Sequence, residues 1–83
     1  MIKFRNALGE RIIVKRKLKD KDPVVAVKEE VFGELYSVGE DCSDFLRNLK
    51  GENVLFAENS FESLYIEDGF EYLLLHKSAI LAY

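Results

Sequence analysis

Apolar residues in this chain gather in short runs broken by Gly, Asp and Asn, and the i, i+3, i+4 spacing of an amphipathic helix is scarce. Runs of this kind, rich in β-branched and aromatic residues, predict strands and turns. Residues 10–17 carry Ile12, Ile13 and Val14 and then alternate charge. Residues 31–38 put Phe32, Glu34, Tyr36 and Val38 on one face of a second strand, and 53–57 form a short apolar run. Residues 63–67 and 70–76 flank Asp68-Gly69. A two-residue Asp-Gly link between β-rich runs predicts a hairpin, because both turn residues must tolerate positive φ. The closing Ala79-Ile80-Leu81-Ala82-Tyr83 reads as an apolar strand, and such a strand at a sheet edge is an aggregation hazard unless another strand covers it.

Two segments break the pattern. Residues 18–30 open on Leu-Lys-Asp-Lys-Asp-Pro, pass through Val24-Val25-Ala26-Val27 and close on Lys28-Glu29-Glu30, so an apolar island sits inside a charged loop behind the chain's one proline. Residues 39–52 are the other, in which 44–49 predicts one helical turn capped by Ser43 or Asp41. The expected fold is therefore all-β, a small barrel or sandwich. At 83 residues the chain forms a single domain, 1–83. A domain of this size buries only about 60% of the surface its unfolded chain exposes, which makes self-association a natural source of added stability.

Charge and cysteine usage narrow the class further. A formal net charge of -3 argues against general phosphate binding, which depends on clustered Lys and Arg. The one basic run, 11–21, reads as a solvated strand end and loop. Cys42 has no second cysteine to pair with and no histidine cluster to share a metal, so neither a disulfide nor a metal site is expected and a reducing cytoplasm fits best. The opening Met-Ile-Lys-Phe-Arg lacks the apolar stretch of a signal peptide, and no run approaches the roughly 18–20 apolar residues of a membrane helix. A cytoplasmic protein with no membrane partner is expected.

Three blocks, in order and at matching spacing, resemble the GroES-like co-chaperonin family over nearly the whole chain. Leu8-Gly9-Glu10-Arg11-Ile12-Ile13-Val14-Lys15-Arg16 is similar to the family's opening strand. Gly33-Glu34-Leu35-Tyr36-Ser37-Val38-Gly39 resembles its Gly-x-Val-x-x-Val-Gly. Leu49-Lys50-Gly51-Glu52-Asn53-Val54-Leu55-Phe56 resembles its Val-Lys-x-Gly-Asp-x-Val-Leu/Ile-Phe. The ending Ser78-Ala79-Ile80-Leu81-Ala82 is similar to its Ser-Asp-Ile-Leu-Ala.

The resemblance implies a GroES-like β-barrel subunit of a sevenfold ring that caps a chaperonin in a nucleotide-dependent way and assists folding. It implies that neighbouring subunits join through their first and last strands, here Ile2 and Phe4 against Ala79, Ile80, Leu81 and Ala82. It also implies a mobile loop at about 17–31, whose apolar island Val24, Val25, Ala26 and Val27 is the expected anchor on the chaperonin's apical domains. Phe61 stands near the place where the family often has a chamber-facing tyrosine, and a core role suits it equally. The mobile loop is shorter than the family's and carries Asp22-Pro23 where paired glycines are usual. The roof segment, about 40–51, is also shortened, as in divergent, phage-type members.

No catalytic machinery is apparent. The five glycines are isolated, so no phosphate loop exists and ATP is expected on the partner chaperonin, with no cofactor on this chain. His76 reads as a structural or surface residue, and the paired carboxylates Glu29-Glu30, Asp41 with Asp44, and Glu67-Asp68 read as solvated charge. The rival from another class is a small SH3-like or OB-like barrel that binds single-stranded nucleic acid or a protein through Arg11, Lys15, Lys17 and Tyr36 or Phe32.

Overall fold

A computed structural model of the chain describes residues 4–17, 32–57 and 60–83. Six strands form one antiparallel sheet: β1 (Arg11–Lys17), β2 (Phe32–Val38), β3 (Asn53–Phe56), β4 (Phe61–Glu67), β5 (Phe70–His76) and β6 (Ile80–Ala82). A short helix, α1 (Asp44–Asn48), lies between β2 and β3, and a 3-10 turn (Lys77–Ala79) joins β5 to β6. Across the sheet the order is β4-β5-β1-β2-β3-β6. The molecule is thus a small all-β protein, as its sequence pattern predicts.

Local chemistry accounts for most of the elements. Asp68 and Gly69 both take positive φ, 54° and 81°, which is the backbone a two-residue hairpin turn needs to match the twist of β4 and β5. Ser43 rather than Asp41 caps α1, its Oγ accepting from the Leu46 amide at 3.4 Å. Leu46 and Leu49 then reach into the core from this helical turn. Gly39 carries no side chain because a Cβ there would strike the carbonyl oxygens of Gly9 and Arg11. Its own amide donates to the Arg11 carbonyl at 2.9 Å, which draws the turn before β1 against the end of β2.

One sequence-based expectation is corrected. Strict alternation would keep Phe32, Glu34, Tyr36 and Val38 on a single face. Val14 pairs with Leu35 and Ile13 with Ser37, leaving Tyr36 as an extra residue on β2. This β-bulge reverses the parity of the strand beyond it. Val38 therefore turns inward with Leu35, while Ser37 is buried and accepts a hydrogen bond from the Ala7 amide at 3.0 Å.

The sheet carries apolar clusters on both faces. Ile12, Val14, Leu35, Val54, Phe56, Leu73 and Leu75 form the inner core with Cys42 and Ala79. Phe61 on β4 meets Phe56 on β3 with ring centroids 5.6 Å apart and perpendicular, although β5, β1 and β2 lie between those strands in the sheet. The sheet therefore curls around its inner face. On the outer face Ala7, Ile13, Tyr65 and Tyr72 form a second buried cluster, in which Tyr72 stacks on Tyr65 at 4.4 Å and meets Tyr36 edge-on at 5.0 Å. Burial raises the pKa of both Tyr65 and Tyr72, because an apolar setting disfavours the phenolate. Among the described residues no helix is long and apolar enough to cross a membrane.

Candidate interaction surface

The two edge strands of the sheet differ in how they are protected. β4 carries Glu62 and Glu67 along its length and is bulged at Leu64. Charge and bulging are common devices against unwanted strand pairing. β6 consists of Ile80, Leu81 and Ala82 and holds no charge. It pairs on one side with β3, Ala82 opposite Leu55 and Ile80 opposite Phe56, so Leu81 is the extra residue of a bulge. Its side chain is thrown outward and is 63% exposed.

Apolar surface continues from that edge. Phe32 pairs with Leu55 and Leu55 with Ala82, which makes a cross-strand row leading to the side of β6 that is open among the described residues. Phe32 and Leu55 are both exposed, Leu55 at 41%. Tyr83, just past β6, rests edge-on against Phe45 of α1 with centroids 5.0 Å apart, and both rings remain largely in solvent. Exposed apolar residues placed singly are ordinary, whereas a continuous set at a strand edge marks a contact surface.

The root of β6 is held by polar contacts. His76 Nε2 lies 3.1 Å from Glu10 Oε2, while Nδ1 lies 2.9 Å from Ser78 Oγ and accepts from the Ser78 amide at 3.2 Å. Lys77 Nζ approaches the other Glu10 oxygen at 3.5 Å, and the Lys77 amide donates to the Glu10 carbonyl at 2.9 Å. The hydrogen bond with His76 and the Lys77 charge hold the Glu10 carboxyl below its ordinary value. Both imidazole nitrogens are thus engaged in fixing the turn that aims β6. Among the described residues no group of three or more His, Cys, Asp or Glu side chains is placed to hold a metal.

The residues singled out in the sequence fall as follows. Val24, Val25, Ala26, Val27 and Ile2 lie outside the described residues, as does nearly all of the expected mobile loop. Phe4 is 55% exposed at the start of a segment, 4–8, that belongs to no strand. Ala79 is buried in the inner core and Ile80 packs partly against it, while Leu81 and Ala82 face solvent. Phe61 is half-buried, with its ring between Phe56 and the Arg16 guanidinium, 5.0 Å from its centroid. Arg16 also donates to Glu71 Oε1 from Nε at 3.0 Å and from Nη2 at 2.7 Å. Ser63 donates to the second Glu71 oxygen at 2.8 Å. No local pattern in the sequence signals this inward-facing network, which depends on the cross-strand pairing of Arg16 with Glu71. No protein-family model matches the chain, and no curated protein matches it in sequence.

Proposed function

We propose that this chain is a subunit of a ring-shaped co-chaperonin lid whose copies join edge to edge through β6. The observation that carries the reading is the uncharged open edge of β6, backed by exposed Leu81 and the Phe32, Leu55, Ala82 row. The opposite edge, β4, is charged. An open edge of this kind takes an added strand. The candidate strand is the neighbour's N-terminal segment, whose described residues 4–8 belong to no strand in their own subunit and expose Phe4 and Leu8. Joining two different elements makes the contact heterologous, and a heterologous contact generates a ring when its rotation closes. The GroES-like barrel and the sevenfold symmetry follow from the family resemblance, which also supplies the partner, the apical domains of a chaperonin.

In this reading the anchors are Val24, Val25, Ala26 and Val27. Burying two valines contributes about 1.5–3 kcal/mol each, while ordering a loop costs about 1–2 kcal/mol per residue. One loop then binds weakly, and several loops on a ring bind together through their high effective concentration. Such a lid leaves when the chaperonin's nucleotide state withdraws its grooves, and ATP stays on the partner. Native mass spectrometry of the chain, alone and with a chaperonin plus ATP, tests the proposal. A ring that joins the chaperonin only with nucleotide supports it, and a monomer that ignores the chaperonin refutes it.

A second reading, a small barrel that binds single-stranded nucleic acid, draws on the outer face. There Lys15 Nζ sits 4.3 Å from the Phe70 ring centroid and 6.0 Å from that of Tyr72, near Tyr36. Bases stack on such rings, and the binding would weaken steeply with salt. Tyr72 is already stacked on Tyr65 and buried, which leaves less open ring face than a stacking platform uses.

A further inference from the structure

A second surface feature lies away from the β6 edge. Two adjoining hollows of about 400 and 650 Å³ run between the segment at Arg5 and Asn6 and the end of α1, with β2 as their floor. Asn6 and Lys50 line both hollows. Arg5 and Tyr36 line one, and Arg47 and Ser37 the other. Ion pairs between described residues join Arg16 to Glu71 and His76 and Lys77 to Glu10, and none of them involves Arg5, Arg47 or Lys50. In a chain with a net charge of -3, three cations outside any ion pair along one groove, against the two carboxylates of Glu34 and Glu40, stand out.

From this we infer that the groove binds an extended acidic peptide segment with carboxylates at alternate positions. Arg47 stands in the last turn of α1 and Lys50 just past its end, where the Lys50 amide donates to the Arg47 carbonyl at 3.3 Å. Both side chains line the same hollow. Alternate side chains of an extended strand repeat at about 7 Å, which these long, adjustable cations span. The Arg47 guanidinium is held toward the groove by the Glu40 carbonyl, Nη2 to O at 2.5 Å, and so keeps donors free for a carboxylate. Arg5 supplies a cation on the opposite wall, Asn6 an amide and Tyr36 an apolar side. Glu34 and Glu40 line the same hollows and select against a dense polyanion. The groove uses none of the β6 surface, although its Arg5 and Asn6 wall belongs to the segment that the ring reading lays on a neighbour, so R47A/K50A, which leaves that segment intact, is the deciding variant.

The test is fluorescence anisotropy with a labelled peptide of sequence Gly-Glu-Ala-Glu-Ala-Gly, and its lysine counterpart, on the full chain at low salt. Binding of the acidic peptide alone is expected, falling at least about tenfold in R47A/K50A and about threefold or more in R5A, and weakening as salt is added. Circular dichroism checks that the variants fold, which their exposure favours. Charge reversal in R47E/K50E should transfer binding to the lysine peptide. Equal binding of both peptides to the unaltered chain, or undiminished acidic-peptide binding by R47A/K50A, would overturn the proposal. So would a single-stranded oligonucleotide that binds this groove while the acidic peptide does not. Native mass spectrometry of each variant reads the ring separately, so failure of one proposal is distinguishable from failure of the other.

Discussion

Placing a charge on the open edge gives the sharpest trial of the assembly proposal. In Leu81→Lys the altered side chain is 63% exposed and bulged away from the inner core. The fold of the single chain should therefore change by no more than about 0.5 kcal/mol. Fully burying a leucine contributes about 1.5–3 kcal/mol, so covering the exposed part of Leu81 is worth about 1–2 kcal/mol at each subunit contact. That corresponds to roughly a five- to thirtyfold weaker contact, before any cost of covering the new ammonium. A closed ring needs every contact at once, so the penalties multiply around it and assembly should fail at micromolar concentration. Sedimentation velocity reads the oligomer, and urea unfolding followed by circular dichroism reads the fold. The reasoning is refuted if Leu81→Lys assembles like the parent chain, or if the loss of assembly is accompanied by a matching loss of subunit stability.

Other perturbations probe the fold itself. Phe56→Ala removes a fully buried ring together with its edge contact to Phe61. It should cost about 3–5 kcal/mol, much of the stability of so short a chain, seen as a large fall in the urea midpoint. Gly39→Ala drives a methyl group into the Gly9 and Arg11 carbonyls and should lose more than about 2 kcal/mol in the same assay. For Glu10 the folded pKa lies below the ordinary 4.5, so its contribution is present above that value and is lost as pH falls through the depressed one. Glu10→Gln should accordingly lower stability slightly at neutral pH, leave it little changed below the depressed pKa, and so flatten the acid limb between them. Tyr65 and Tyr72 ionise later than a free tyrosine. Their stabilising effect is whole below the ordinary value of 10.0 and is lost as pH rises through the folded values. Absorbance titration should show two late phenols that vanish in Tyr65→Phe and Tyr72→Phe.

Element positions were legible because local signals and burial agree. The Asp68-Gly69 turn, the Ser43 cap and the apolar runs of β1, β3 and β5 each carry their own chemistry, and the structure has them at those residues. The candidate surface was legible only in part. The apolar ending at Ile80, Leu81 and Ala82 pointed to an edge needing cover, and β3 covers one side of it. The inward network of Arg16, Glu71 and Ser63 and the latch of Glu10 on His76 join residues far apart in the chain, which no local pattern encodes.

By itself the sequence determined an all-β chain with its Asp68-Gly69 hairpin and its helical turn after Ser43, because turn chemistry and period-two burial act over a few residues at a time. Only the tertiary structure decided which side of each strand meets the core. The bulge at Tyr36 reverses β2, and its position depends on how β1 and β2 twist together around the inner face. The same holds for the open side of β6 and for the groove beneath Arg5, Arg47 and Lys50. Both are made by segments that only the curl of the sheet brings side by side.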